Sequence, residues 1–379
     1  MKTTQFTEQR GAPLRPSKFY GSFASIVVLS SLVAAGSKGA ITWDVSVNDP
    51  GSTFQPYYEP IESDLSVALR EYSSLLVSNT PSSIQIEISF SPSVTRSTGY
   101  GATSAFVDNI AGVNVYEQGV ANEIRTGIDP NGAIPDLYLK FQPSYLTSEL
   151  WFDPAPQARN LPVPADKTDA YSVLLHELTH AIGFNGWRDG TTGAVPGLPP
   201  YESTFDKWET FDGTNLFFTG PVAEASYGGP VAITFGNNFH IGNDLPRPGS
   251  DLVPDLMNGV VFYRGTRYDI SPLDRAILSD AGVAVMEPAS GDYNHNGIVD
   301  AADYTVWRDT LGSTTNLAAD GNGNNQIDAG DYDVWKSNFG NHSGSGASAA
   351  VPEPSTITLL AIAMLSIVWP RKRPNLSGC

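Results

Sequence analysis

Leu174-Leu175-His176-Glu177-Leu178-Thr179-His180-Ala181-Ile182-Gly183-Phe184 decides how this chain is read. The pattern is His-Glu-x-x-His-x-x-Gly-Phe. Histidine occurs 5 times in 379 residues, so two of them four apart with Glu after the first is a selective match. On a helix, positions i and i+4 share one face, so the imidazoles of His176 and His180 can converge on one point. Such a pair supplies two of the three protein ligands of a catalytic zinc and leaves the fourth position to a water. Glu177 stands beside the pair, where it can act as the general base towards that water. A surface helix with two solvated His and an ordinary Glu is the plainer alternative.

The flanks extend this reading. Thr168-Asp169 offers an N-cap for the motif helix, and Gly183 is expected to end it through a positive φ. Upstream, residues 57–76 have apolar positions three and four apart and read as a helix. Residues 83–90 alternate as a strand, and 136–141 and 149–152 read as short strands. This order predicts an α+β domain with a mixed or antiparallel sheet. Downstream, residues 185–227 are rich in Gly, Pro, Thr and aromatics and read as a long surface insertion. Residues 232–235 form a strand pattern before His240, and 255–259 form a tight turn. A helix over 271–282 carries Ser271 as cap, Pro272 in its first turn and Gly282 as its stop. The candidates for a third zinc ligand are His240, Glu202, Glu209 and Asp189, because His295 and His342 fall in other regions.

The stretch from His176 to Phe184, followed by a distant His and a methionine turn, resembles the metzincin metalloproteases. The usual pattern has its third His three residues after the Gly. Here that position is Gly186, a clear departure. The spacing is similar to the leishmanolysin-like branch, whose third His comes some sixty residues later, and His240 lies 60 residues after His180. The resemblance implies one zinc held by His176, His180 and His240, with Glu177 as the base for peptide-bond hydrolysis. It also implies Gly183 as the turn glycine, Met257 as the methionine beneath the metal, and a C-terminal helix over 271–282. The implied fold spans 41–290 and combines a mixed sheet with the active-site and C-terminal helices. A gluzincin site would use Glu202 or Glu209 instead, and the Gly183-Phe184 pair argues against that. Tyr263 or Tyr268 could stabilise the oxyanion, and an edge strand near 149–152 could pair with an extended substrate.

Composition bounds the rest. A net charge of −18 and a pI near 4.5 argue against nucleic acid as a partner. The one cysteine, Cys379, permits no disulfide within the chain, and none precedes the motif to act as a cysteine switch. Residues 1–40 read as a signal peptide, with Lys2, Arg10, Arg15 and Lys18 ahead of an apolar run at 23–35. An uncleaved anchor is the other reading of that segment.

Asp292, Asn294, Asn296, Asp300 and Asp303 occupy the ligand positions of an EF-hand-like loop, with Gly297 at its sixth position. Asp320, Asn322, Asn324, Asp328 and Asp331 repeat the set 28 residues later. Two such loops, each followed by a helical segment, resemble a type I dockerin over 291–340. That resemblance implies two calcium ions, an all-α EF-hand-like module and a cohesin-type partner. A calcium-stabilised module with no partner stays open. Residues 341–350 read as a flexible linker. The segment 351–379 resembles a PEP-CTERM sorting signal: Pro352-Glu353-Pro354, a 13-residue apolar run at 357–369, then Arg371-Lys372-Arg373. It implies exosortase-type processing after transient membrane anchoring. Two function classes result. One is an exported zinc endopeptidase. The other is an extracellular or surface assembly protein with weak or no protease activity, including a role in a polysaccharide-degrading complex.

Overall fold

A computed structural model describes residues 27–29, 39–78, 80–286, 289–294, 298–314, 318–324 and 326–341. Most of the expected signal peptide, nearly all of the linker, the sorting tail, and the loop positions Asn296 and Gly297 lie outside the described residues. The chain divides into two compact units, Met1–Met286 and Glu287–Cys379. Among the described residues no helix is long and apolar enough to cross a membrane.

The first unit is α+β. Its largest sheet contains β1 (Val27–Leu29), β2 (Ile41–Asn48), β3 (Ser82–Phe90), β4 (Ser97–Gly101) and β7 (Leu137–Phe141), in the order β1-β2-β3-β7-β4. β2, β3 and β7 run parallel, while β1 and β4 are antiparallel edges, so the sheet is mixed. Strict alternation in β3 buries Ser82, Ile84, Ile86 and Ile88 on one face, and the paired residues Trp43, Val45, Leu137 and Leu139 are buried with them. Helix α1 (Tyr58–Leu75) covers this face through Ile61, Leu65, Ala68, Leu69 and Tyr72, which recur at helical spacing. Burying a Leu such as Leu65, which is 0% exposed, contributes about 1.5–3 kcal/mol. Helix α3 (Ala170–Ile182) packs beside α1 and against β4.

The segment between β4 and β7 carries elements with little periodicity in sequence. β5 (Ser104–Ile110) and β6 (Val113–Gln118) form a hairpin, followed by α2 (Gly119–Thr126). The expected strand at 149–152 reduces to β8 (Leu150–Trp151) after a π-helical turn at Tyr145–Glu149. It pairs in parallel with β9 (Thr168–Asp169) and does not belong to the large sheet.

Residues 185–227 are not simply a surface insertion. They contain β10 (Tyr201–Ser203), β11 (Glu209–Phe211), β12 (Leu216–Phe218) and α4 (Pro221–Tyr227). β10 joins β6 in parallel, and Phe205 and Phe218 are fully buried in the main core. β13 (Val231–Ala232) completes a small sheet with β11 and β12. Helix α5 (Pro272–Asp280) has a full capping box between Ser271 and Asp274, and its Asp280 carboxylate accepts the amides of Val222 and Ala223 at the start of α4.

The second unit contains α6 (Ala301–Thr310) and α7 (Ala329–Asn338). Each begins with a capping box, Asp300 with Asp303 and Asp328 with Asp331. Its small core joins Tyr293, Ala319 and Ile327 to Val306, Trp307 and Trp335. The halves are reciprocal. Val299 exchanges backbone bonds with Gly340 and Asn341, and Ile327, 28 residues on, does so with Gly312 and Ser313. Trp307 Nε1 donates to Asp328 O, and Trp335 Nε1 donates to Asp300 O, both at 2.8 Å.

Candidate metal centre

Helix α3 starts where its sequence provides a cap. Asp169 accepts from the Ser172 amide at 3.1 Å and its hydroxyl at 2.7 Å. Arg267 bridges Asp169 to Asp153, which fixes this end of the helix against the 267–268 segment. Leu174, Leu175, Leu178, Ala181 and Ile182 face the core, so His176 and His180 are left for the other side.

The structure brings three imidazoles together. His180 Nε2 lies 3.0 Å from His176 Nε2 and 3.1 Å from His240 Nε2, and His176 and His240 are 3.1 Å apart. A tetrahedral ion with bonds of about 2.05 Å sets its nitrogens about 3.3 Å apart, close to this triangle. The other ring nitrogens define the tautomers. His176 Nδ1 lies 2.8 Å from Leu256 O, and His180 Nδ1 lies 2.8 Å from Phe184 O. A carbonyl only accepts, so each Nδ1 carries the proton and each of those Nε2 atoms presents a lone pair. Burial holds His176 down at about 4 and His180 at about 3, and pushes His240 well below the usual histidine value. Unprotonated nitrogens aimed at one another at this distance repel unless a cation lies among them. The donor set therefore fits zinc.

The backbone explains why His240 takes part. Ile241 N–H donates to Met257 O at 3.0 Å, and Gly259 N–H donates to Ile241 O at 3.1 Å. The 255–259 turn thus supports the loop that carries His240, while its Leu256 carbonyl orients His176. Met257 is fully buried inside this turn. A side chain at Gly186 would have no room: its Cβ would sit 2.8 Å from Asn238 O and from Asp206 Oδ1. The returning chain two residues before His240 thus fills the space beside position 186. The other candidate ligands lie outside the histidine group, and among the described residues neither carboxylate oxygen of Glu209 has a hydrogen-bond partner. Glu202 pairs with Arg188, Asp189 accepts from Thr191 and Thr192, and Glu209 is buried outside the histidine group.

Gly183 differs from its expected role. Its φ is −176°, an extended value open to any residue. What requires glycine is space, because a Cβ there would meet Val283 Cγ2 at 2.4 Å.

Glu177 is 7% exposed, and both its oxygens are held by β4. Ser97 Oγ donates to Oε1 and the Gly99 amide donates to Oε2, each at 2.6 Å. Burial pushes this carboxyl up to about 7, against the lowering effect of those two bonds. Sequence reasoning missed Ser97 and Gly99. The available signal was Ser-Thr-Gly-Tyr-Gly, because glycine inside a strand often marks a close backbone approach. A Cβ on Gly99 would lie 2.0 Å from the Glu177 carbonyl oxygen.

The three histidines and Glu177 open into a cleft of about 490 Å³, also lined by Ser97, Arg96, Tyr145 and Phe262. Tyr263 and Tyr268 do not line it. The Tyr268 hydroxyl accepts from the Tyr263 amide and its ring stacks on Phe262. The phenol facing the cleft is Tyr145, which burial pushes up to about 12. The edge strand beside Glu177 is β4, not residues 149–152.

In the second unit, Asp303 accepts the amides of Asn294 and Asp300, and Asp331 repeats this with Asn322 and Asp328. Asp292, Asp303 and Asp331 are buried, and Asn324 stays at the loop surface. Among the described residues, no three loop carboxylates converge as closely as the histidines do.

No family model, curated protein or solved structure matches this chain.

Proposed function

We propose that the first unit is a metzincin-like zinc endopeptidase. The observation that carries this is the triangle of three imidazole Nε2 atoms, 3.0–3.1 Å on a side, with the buried Glu177 on the same helix as His176 and His180. His176, His180 and His240 would hold the ion, which when bound supplies a Lewis acid and an acidified water. The rest of the chemistry belongs to this chain. Ser97 and Gly99 fix the Glu177 carboxylate so that it can take a proton and deliver it to a leaving amine. As the last strand of the sheet, β4 would offer an extended peptide the outward backbone groups that Glu177 does not engage, and Tyr145 lines the cleft, where it would meet developing negative charge.

The test combines zinc analysis of the purified protein with cleavage of casein and model peptides, beside Glu177→Ala. One zinc per chain is expected, with zinc-dependent cleavage that disappears in the variant. A protein that holds no zinc, or a variant that cleaves like wild type, overturns the reading.

We read the second unit as a dockerin-like calcium module and the chain ends as an export signal and a sorting tail. The register of two loops 28 residues apart, each feeding a capped helix, supports the module. Two calcium ions in these loops, a cohesin-type partner and exosortase-type machinery are the corresponding proposals. Calcium titration followed by binding to an immobilised cohesin tests the first two.

A further inference from the structure

Glu123 on α2, Asp129 in the following loop and Asp136 just before β7 bring one carboxylate oxygen each to within 4.8 Å of one another. Two of these groups lie deep: Glu123 is 3% exposed and Asp136 is 1% exposed. Each is anchored by an amide at the start of β3, Glu123 Oε1 by Ser83 N–H at 3.3 Å and Asp136 Oδ2 by Gln85 N–H at 2.8 Å. The second oxygen of each, Glu123 Oε2 and Asp136 Oδ1, is buried with no hydrogen-bond partner. The side-chain carbonyl Oδ1 of Asn131 in the same loop is also buried and unpartnered, while its amide group holds Ile134 O at 2.7 Å. Burial acts first on both deep carboxyls, raising them, and the charges acting on them are one another and Asp129. The nearby Arg125 is turned away to Glu117.

Two buried carboxyls that face one another with no basic partner are costly unless a shared proton or a cation enters between them. The donors are all oxygen, which selects a hard cation. Two of them, Asp129 and Asn131, come from a loop whose irregular spacing suits calcium better than the strict octahedron of magnesium. We propose that Glu123, Asp129, Asp136 and the Asn131 carbonyl form a calcium site in the first unit, separate from the zinc cleft and from the loops of the second unit. Water completes the coordination on the side of the exposed Asp129. The ion ties residues 127–136 to the start of β3 and to α2, and α2 packs against α3, so calcium stabilises the scaffold behind the catalytic helix. The proposal does not depend on the zinc assignment.

The experiment uses the full chain. Bound calcium is counted by equilibrium dialysis for wild type, Asp129→Asn and the double variant Glu123→Gln with Asp136→Asn. Thermal unfolding of each is followed in calcium and in EDTA. The double variant should hold one calcium fewer per chain. Calcium should raise the melting temperature of the first unit in wild type by about 5 °C or more at saturation, and the double variant should lose that part of the rise while keeping any rise that belongs to the second unit. In EDTA the double variant should melt at or above wild type, because its repulsion is gone. Asp129 is exposed and Asn can still accept its loop amides, so Asp129→Asn should fold normally and bind this calcium at least about tenfold more weakly. Equal calcium counts and equal calcium shifts in all three proteins overturn the proposal and leave a carboxyl pair sharing a proton.

Discussion

Gly99→Ala tests the role of β4 most sharply. The added Cβ would stand 2.0 Å from Glu177 O, 2.5 Å from Glu177 C and 2.7 Å from Glu177 Cβ. Two of these atoms are helix backbone, so the edge strand must retreat by about 1 Å to reach van der Waals contact. That stretches the 2.6 Å bond from Gly99 N–H to Glu177 Oε2 to about 3.6 Å, where it no longer counts as a hydrogen bond. Ser97 rides on the same strand and its 2.6 Å bond to Oε1 weakens too. A hydrogen bond to a charged group contributes about 1.5–3 kcal/mol, and a base displaced by about 1 Å loses about 100-fold in rate. The expected result is a fall in kcat/KM of about 100-fold or more on a quenched fluorescent peptide. Zinc content should stay near wild type, because the three ligands sit on α3 and the 240 loop. Gly229→Ala is the control, since a Cβ there meets nothing within 4 Å. If folded Gly99→Ala cleaves within about threefold of wild type, the argument that β4 positions Glu177 is wrong.

His240→Ala should abolish zinc binding and cleavage, whereas Glu202→Gln should leave zinc content unchanged; metal analysis of both decides between them. Asp64 is fully buried, and burial, followed by Asp169, pushes its carboxyl up to about 7. Its folded pKa exceeds the unfolded value of about 3.9, so its protonated form favours folding at low pH and that contribution is lost as pH rises through 7. Wild type should lose a few kcal/mol more stability between pH 5 and pH 8 than Asp64→Asn; matching slopes in denaturant titrations would contradict this. Trp335→Phe keeps one aromatic ring but removes the pyrrole half of the indole and with it the bond to Asp300 O, and should lower the melting temperature of the second unit by at least a few degrees, corresponding to about 1 kcal/mol for the bond plus the lost packing.

The sequence made the parts with strong local signals legible. The i, i+4 histidines, the Asp169 cap, the Ser271-Pro272 start of α5 and the alternation of β3 all occur in the structure where the residues suggested. What escaped depends on contacts distant in the chain. β4 has two glycines in five residues, and β5 is exposed along nearly its whole length, so neither shows an amphipathic pattern. The Gly/Pro-rich stretch after Phe184 looked like surface, yet Phe205 and Phe218 complete the core and β10 pairs with β6. Gly183 was identified correctly as a special position for the wrong reason: the demand is room for Val283, not a left-handed turn. His240 came from spacing in a resemblance, because nothing in its local sequence distinguishes a ligand from an ordinary loop histidine.

The reciprocal bonds of the second unit make its two halves interlocked and not serial. Val299, in the first loop, is held by Gly340 and Asn341 at the far end, and Ile327, in the second loop, by Gly312 and Ser313 at the end of the first half. Each half thus closes its partner like a clasp. A chain cut just before Gly340 would lose little of α7 itself, and the damage would appear some forty residues upstream, at the loop around Val299. A cut at one end of this unit therefore removes bonds from the loop at the other.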